Sequence, residues 1–465
     1  MNMINVRRLT VMTFLGASML SGISAQVSPL QVDTLKETKI PDQWDLQSCI
    51  DYAKEQNITI RKNRITAAST QIDVKTAKAA MFPSLSFSTG QQVVNRPYQE
   101  TSSRVSGSEI ISSNSKTSYN GNYGLNASWT LYNGNKRLKT IQQEKLNNQM
   151  AELDVATSEN NIQESIAQVY IQILYAAESV KVNENTLQVS IAQRDRGQEL
   201  LNAGSIAKSD LAQLEAQVST DRYQLVTAQA TLEDYKLQLK QLLELDGENE
   251  MNIYLPALSD ENVLAPLPTK RDVYISALSL RPEIEASKLN VEASELGIGI
   301  AKSSYLPTIS LSAGIGTNHT SGSDFTFGEQ VKNGWNNSIG LSVSVPIFNN
   351  RQTKSAVQKA KLQYETSMLS LLDEQKTLYK TIEGLWLDAN SAQQRYAAAN
   401  EKLKSTQISY ELISEQFNLG MKNTIELLTE KNNLLQAQQE QLQAKYMAIL
   451  NMQLLKFYQG DQLAI

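Results

Sequence analysis

The chain has 465 residues, with 43 Lys and Arg against 48 Asp and Glu, for a formal net charge of −5. The cations are scattered among acids, which excludes a nucleic-acid surface, because phosphate neutralisation needs clustered Lys and Arg. One Cys and one His leave no zinc spacing and no intrachain disulfide and give a hydrolytic triad, which needs a His placed by the fold, little support, while only 10 Pro and 21 Gly favour long uninterrupted helices.

The N-terminus reads as a secretory signal over 1–25. Arg7 and Arg8 precede the apolar stretch Leu9 to Leu20, and Ser24-Ala25 offers a small-residue cleavage site before Gln26. That stretch is shorter than the roughly 20 residues a membrane-spanning helix needs. No Cys follows the cleavage site, which reads against a lipid anchor. A helical region is expected over about 44–81, with Cys49 as a small buried apolar residue, and it stops at Pro83. Period-two alternation follows at Leu85 and Phe87, then a polar loop (Arg96 to Thr117), then alternation again at Tyr123, Leu125, Ala127, Trp129 and Leu131. This predicts a β-hairpin over 84–132.

From about 135 to 202 the period changes. Ile166, Ile173, Val180 and Leu187 recur every seventh residue, and the run contains no Pro. At 1.5 Å per residue such a helix is roughly 100 Å long. Gly204 sits where it should reverse, in a position suited to a left-handed C-terminal cap. Leu211, Val218, Leu225, Leu232 and Leu239 then continue the heptads back. A turn-rich connector is expected over 246–270.

The same elements then recur. Ala77 to Gly90 matches Ala301 to Gly314, with Pro83 and Pro307 separated by 224 positions. Leu131-Tyr132-Asn133-Gly134 matches Ile347-Phe348-Asn349-Asn350 at an offset of 216, which also places Asn202-Ala203-Gly204 on Asn418-Leu419-Gly420 and Asp210-Leu211 on Glu426-Leu427. The second unit, 271–460, therefore carries a helix over about 271–305, a hairpin over 308–348, and a helical hairpin turning near 420. Its strands alternate at Ile309, Leu311, Ala313, Ile315 and again at Ile339, Leu341, Val343, Val345, Ile347. Its heptads run from Ile382 to Phe417 and from Leu428 to Ile449. The eight-residue length difference falls in the first polar loop. The expected fold is α+β and mostly α, with four β-strands per chain and a two-fold internal repeat, the first unit spanning 44–245.

Four strands cannot close a barrel, yet strands apolar on one face in an exported chain call for closure. Two copies give eight strands, whose interior side chains fill it; three give twelve and leave a lumen. Ser84, Ser86, Ser88, Ser310 and Ser312 would line that lumen, while Leu85, Phe87, Ile309 and Leu311 would face lipid.

The doubled order of helix, Pro, hairpin, long helix, Gly turn and long helix resembles the TolC-like outer membrane factor family, from Trp44 to about Gly460. The resemblance implies a homotrimer with a twelve-stranded transmembrane barrel continued by a coiled-coil α-helical periplasmic barrel. It implies a passive exit channel of a tripartite efflux or type I secretion system, gated at its periplasmic tip. The partners would be a periplasmic adaptor (membrane fusion protein), an inner-membrane pump and outer-membrane lipid, with no cofactor and no catalysis. The cargo stays open. Carried over by position, Glu426 matches an acid lining the gate, Asp210 is its repeat equivalent, and the family's next acid falls on Thr429 with Glu430 beside it. Acids in a helix's first turn also serve simply to stabilise its positive end. The family's Tyr and Arg gate contacts fall on Phe417 and Lys422. Phe has no hydroxyl and Lys no planar fork, so any lock here is weaker or built differently. The tips, with Asn202, Gly204, Asn418 and Gly420, are the expected adaptor-docking surface. Glu411 and Glu415 read as a solvated helix face. His319 is expected in the second polar loop (Thr317 to Gly334), near Asp324, as a surface residue.

Two other readings fit parts of the pattern. A periplasmic adaptor or scaffold would have one helical hairpin and small β domains rather than two hairpins with lipid-type strands. A secreted toxin would hide its strands until insertion.

Overall fold

The computed structural model describes residues 41–98, 102–106, 109–113, 116–246, 251–256, 263–321, 323 and 325–464. The signal segment and Asp324 lie outside them. Asp42–Ile465 forms one compact unit, which is the one described here. It is mostly helical with one four-stranded antiparallel sheet.

In chain order the elements are α1 (Leu46–Gln56), α2 (Ile58–Ala79), β1 (Ser84–Asn95), β2 (Ser102–Ser106), β3 (Glu109–Ser113), β4 (Thr117–Asn133), α3 (Lys136–Asn202) and α4 (Lys208–Leu242). There follow α5 (Lys270–Leu280), α6 (Pro282–Ser303), β5 (Thr308–Thr320), α7 (Phe327–Asn333), β6 (Asn336–Ser344), α8 (Gln352–Asn418) and α9 (Thr424–Gln459). The starts and ends of α1, α2 and β1's start recur 224 positions on in α5, α6 and β5; those of α3 recur 216 positions on in α8.

Each of the two regions read as one helix before a hairpin is in fact two. Asn57 breaks the first: its backbone leaves the helix, and its side chain accepts from Thr59 N at 2.9 Å and Ile60 N at 3.4 Å, capping α2. Arg281-Pro282 breaks the second, since Pro has no N–H and its ring forces the preceding residue out of helical geometry. Sequence periodicity runs through both sites, so only the local chemistry of Asn57 and Pro282 marks them. The predicted loops also hold structure. The first contains the β2–β3 pair, and in the second β5 runs on to Thr320 before the short α7. At its far end β6 stops at Ser344 rather than reaching Ile347, because Pro346 has no ladder donor and β5 begins only at Thr308, the partner of Ser344.

Strand order is β1-β4-β5-β6. Leu131 is the extra residue of a bulge, so that Trp129 faces Leu311 and Tyr132 faces Ile309. Each outer hairpin then passes into a long helix through two successive left-handed residues, Gly134 and Asn135 in one case (φ 67° and 63°), Asn350 and Arg351 in the other (50° and 66°). At the first elbow a Cβ on residue 134 would lie 2.7 Å from the Ser303 carbonyl oxygen, so glycine is required there.

Helices α3 and α8 have 67 residues each, roughly 100 Å at 1.5 Å per residue. They pack along α4 and α9 respectively. The heptad residues Ile166, Ile173, Leu187, Val218, Leu239, Ile382, Ala389, Tyr396, Phe417, Leu435 and Ile449 are buried. One glycine lies inside α3. A Cβ on Gly197 would sit 2.5 Å from Leu214 Cδ1, so its absence lets α4 approach. The main core gathers Trp44, Cys49, Ile50, Ile166, Tyr170, Ile173 and Leu239. Burial pushes the Cys49 thiol up to about 12. The connector packs on this core: Trp44 N donates to Asn252 O and Tyr254 N to Trp44 O, each at 2.8 Å, and Tyr170 Oη donates to Tyr254 O at 2.6 Å.

Candidate functional site

Two parts of the molecule expose chemistry that a packed domain would hide. The first is the sheet. Registers place Leu85 and Phe87 of β1, Leu125, Ala127 and Trp129 of β4, Leu311, Ala313 and Ile315 of β5, and Ile339, Leu341 and Val343 of β6 on one face. Phe87 is 68 % exposed and Ile339 84 %. The other face carries Ser84, Ser86, Ser88, Asn126, Ser128, Ser310, Ser312, Ser338 and Ser342, with Gly90, Gly124, Gly314 and Gly340. None of these four strands contains Asp, Glu, Lys or Arg, although a fifth of the chain is charged. That gap was readable in the sequence and is a stronger sign of an apolar medium than alternation, which any half-buried strand shows. No helix among the described residues is long and apolar enough to cross a membrane.

His319 is a strand residue, not a loop residue. It faces Gly121, stacks on Tyr123 with centroids 5.8 Å apart, and meets Phe327 edge-on at 5.1 Å. The glycine explains the placement, since a Cβ on residue 121 would lie 2.1 Å from the imidazole. Among the described residues no group of three or more His, Cys, Asp or Glu is placed to hold a metal ion.

The second part is the pair of turns where the long helices reverse. Gly204 (φ 76°) and Gly420 (φ 73°) are the left-handed residues of matching caps. Gly204 N donates to Leu201 O at 2.9 Å and Ser205 N to Leu200 O at 2.8 Å; Gly420 N donates to Phe417 O and Met421 N to Gln416 O, both at 2.9 Å. A Cβ on either glycine would meet nothing within 4 Å. Asn202 and Asn418, the last helical residues, are exposed beside them.

Past the turns the two helical hairpins differ. At α9 the Asn423 side chain accepts from Glu426 N at 2.9 Å, and Asn423 N donates to Glu426 Oε2 at 3.2 Å. Lys422 Nζ lies 2.6 Å from Glu426 Oε1. The Lys422 ammonium, together with the Asn423 N–H, holds the Glu426 carboxyl below the usual range. At α4 the cap residue is Ala207, which has no side-chain acceptor, so only the return bond exists: Ala207 N to Asp210 Oδ2 at 3.0 Å. Glu430 accepts from Ser409 Oγ at 3.1 Å, bridging α9 to α8. Phe417 is buried, 3 % exposed, and its ring has no polar atom to bond with. The structure therefore brings Lys422 and Glu426 together. Among the described residues no hydrogen bond or ion pair joins Lys422 to Asp210.

Sequence reading missed a cluster deeper along the helices. Lys431 of α9 donates to Asp221 of α4 and Ser190 of α3, and Ser190 Oγ donates to Asp221. Gln217 Nε2 donates to Asp221 Oδ1 at 2.8 Å. All three central residues are buried. Burial pulls the Lys431 ammonium below the ordinary lysine range, with Asp221 working against it. The only sequence signal was a Lys close to an otherwise apolar stripe.

Known proteins resemble this architecture. The model of the outer membrane efflux protein family matches twice, at residues 49–244 and 273–460. Outer membrane efflux protein BepC of Brucella suis is 24 % identical over 290 residues, covering 62 % of this chain and 60 % of BepC. Outer membrane protein TolC of Escherichia coli is 24 % identical over 294 residues, covering 61 % of this chain and 58 % of TolC. These alignments thus span about three fifths of each relative's length. Among solved structures, the channel-forming protein CusC superposes with a TM-score of 0.76 at 19 % identity, covering 90 % of this chain and 92 % of CusC. With both halves of the described fold matched by one family model, the chain belongs to the outer membrane efflux protein family.

Proposed function

We propose that this chain is the outer-membrane exit channel of a tripartite efflux or type I secretion system, a passive duct made of three copies. The observation that carries the reading is the charge-free sheet, apolar and exposed on one face, with β1 and β6 at its edges. A sheet edge left open in lipid exposes N–H and C=O groups at several kcal/mol each, so it must pair. Three copies give twelve strands, with the Ser, Asn and Gly face lining water. That lining is small and uncharged, so the barrel would pass cargo without sorting it by charge. The four long helices of each copy would continue the duct into the periplasm. The internal duplication accounts for both offsets and for the double family match.

The duplication also supplies the register of the seam between copies. Hairpin β1–β4 pairs Ser84 with Ser128, and β5–β6 pairs Thr308 with Ser344, which is the same pairing moved by 224 and 216 positions. Applying those shifts to the β4–β5 pair Ser128–Ser312 places Ser344 opposite Ser88 of the next copy. A Ser88→Cys/Ser344→Cys protein should oxidise to a covalent trimer ladder, because facing Cα atoms at about 4.5–5.5 Å lie within disulfide range. Moving one cysteine to Thr89 turns it to the opposite face and should prevent the bond. Cross-linking by the Thr89 pair and not the Ser88 pair would refute the register. No cross-link from any neighbouring pair would refute closure itself.

An adaptor would dock on the turns, delivering cargo from an inner-membrane pump. The second turn offers the better surface, since Leu419, Met421 and Ile425 stand 63–70 % exposed there. Their repeat equivalents are Ala203, Ser205 and Ser209. Glu426, with Asp210 and Glu430, would form the acid ring at the narrow end and favour cations through focused potential.

A further inference from the structure

Lys431–Asp221 is the one ion pair among the described residues in which both side chains are under 5 % exposed. It joins the two helical hairpins of one copy: Ser190 and Asp221 belong to the first, Lys431 to the second. Counting along the helices, the cluster lies roughly 10–20 Å from the turns. Two weaker ties flank it. Gln193 Nε2 donates to Tyr410 Oη at 2.8 Å, and Gln217 Nε2 also reaches Asn432 Oδ1 at 3.4 Å.

Burying this pair is costly, since desolvation offsets most of the attraction and apolar side chains of similar volume pack as well or better. The chain contains its own control. The repeat equivalents of Ser190, Asp221 and Lys431 are Thr406, Ala437 and Glu215. Ala437 is fully buried without any charge. The helical hairpin therefore forms without such a cluster, and its presence on one side only calls for a role other than folding. Its geometry supplies one. Any widening of the turned end that swings one hairpin away from the other must withdraw Lys431, leaving the Asp221 carboxylate buried without a cation.

We propose that Lys431, Asp221 and Ser190 form a latch that holds the two hairpins of each copy together at the narrow end of the duct. The latch takes the place of a lock at Phe417 and Lys422, where the Phe417 ring has no polar atom and Lys422 is engaged by Glu426 in the first turn of the helix that follows it. It rests on the channel reading above. These are positioning residues, since none need touch cargo.

The test is single-channel conductance of the full-length protein, extracted in detergent and placed in a planar bilayer, with oligomeric mass measured alongside. Lys431→Met should raise the conductance or the open frequency several-fold at unchanged mass, and the exchange Asp221→Lys/Lys431→Asp should bring both back toward wild type. Ser190→Ala should change them least. The truncated variant Asp221→Ala/Lys431→Ala, which leaves neither a lone buried charge nor a close-packed apolar pair, covers the case in which the single variant fails to assemble, and it too should open the duct. Wild-type conductance in an assembled Lys431→Met or Asp221→Ala/Lys431→Ala protein would overturn the latch while leaving the channel intact. Absence of conductance in the wild type and in every assembled variant would overturn both.

Discussion

The two turns of this chain share a backbone and almost nothing else. Both close with a left-handed glycine and the same pair of cap hydrogen bonds. Yet the first presents Ala203, Ser205 and Ser209 and starts its next helix at Ala207. The second presents Leu419, Met421 and Ile425 and starts at Asn423, with Lys422 and Glu426 paired beside it. What the two turns share is what the fold demands, namely chain reversal in a fixed number of residues. At these turns the side chains depart from their copies while the backbone does not, so the fold leaves them free, and under the proposed function this is where an adaptor would dock.

The largest effect should come from erasing that difference. Giving the second turn the first turn's surface, by Leu419→Ala, Met421→Ser and Ile425→Ser, should abolish efflux in a complementation assay while the purified protein keeps its mass. The reciprocal change at Ala203, Ser205 and Ser209 should have little effect. Equal loss from both would make the turns equivalent and the comparison empty.

Stability should split next. Leu427 is fully buried and its equivalent Leu211 only partly so. Leu427→Ala should cost about 2–5 kcal/mol, the range for a buried leucine, and Leu211→Ala clearly less, as read by denaturant unfolding in detergent. Caps come after. Asn423→Ala should cost about 0.5–2 kcal/mol, whereas Ala207→Asn should stabilise the first turn by providing the acceptor it lacks.

The smallest expected effects are electrostatic. Glu426→Gln should lower cation preference in reversal-potential measurements more than Asp210→Asn. The folded Glu426 carboxyl holds its proton less tightly than the unfolded one. Its contribution to stability is thus present above the ordinary Glu range and is lost as pH falls through the depressed folded value. Cation preference should therefore stay flat between about pH 5 and 7 and fall only in more acid solution, below the ordinary Glu value. A decline centred near neutral pH would place the selectivity on another group.

Much of this was legible in the sequence, because period and punctuation are local. Heptads, alternation, Pro83, Pro307 and the two turn glycines each act through neighbouring backbone, and they located the long helices, the outer strands and both reversals. What escaped depends on contacts across the fold. The break at Asn57 is visible only once its side chain is seen capping α2, and Gly197 only once Leu214 is packed on it. His319 looked like a loop residue because no pattern in sequence shows that β5 continues past Gly316 opposite Gly121. The candidate site was legible in position but not in partnership. Lys422 and Glu426 were both singled out, yet their pairing depends on how the residue before the Asn423 cap folds back over the first turn of α9, and the Lys431 cluster joins three helices far apart in the chain.

The central claim is that three copies enclose a water-filled path. It is tested most directly by the mass and single-channel conductance of the same detergent-extracted preparation. The account predicts a trimer that conducts in a planar bilayer, weakly and with cation preference while the latch is closed. A monomer recoverable in buffer without detergent, with no conductance, would contradict it.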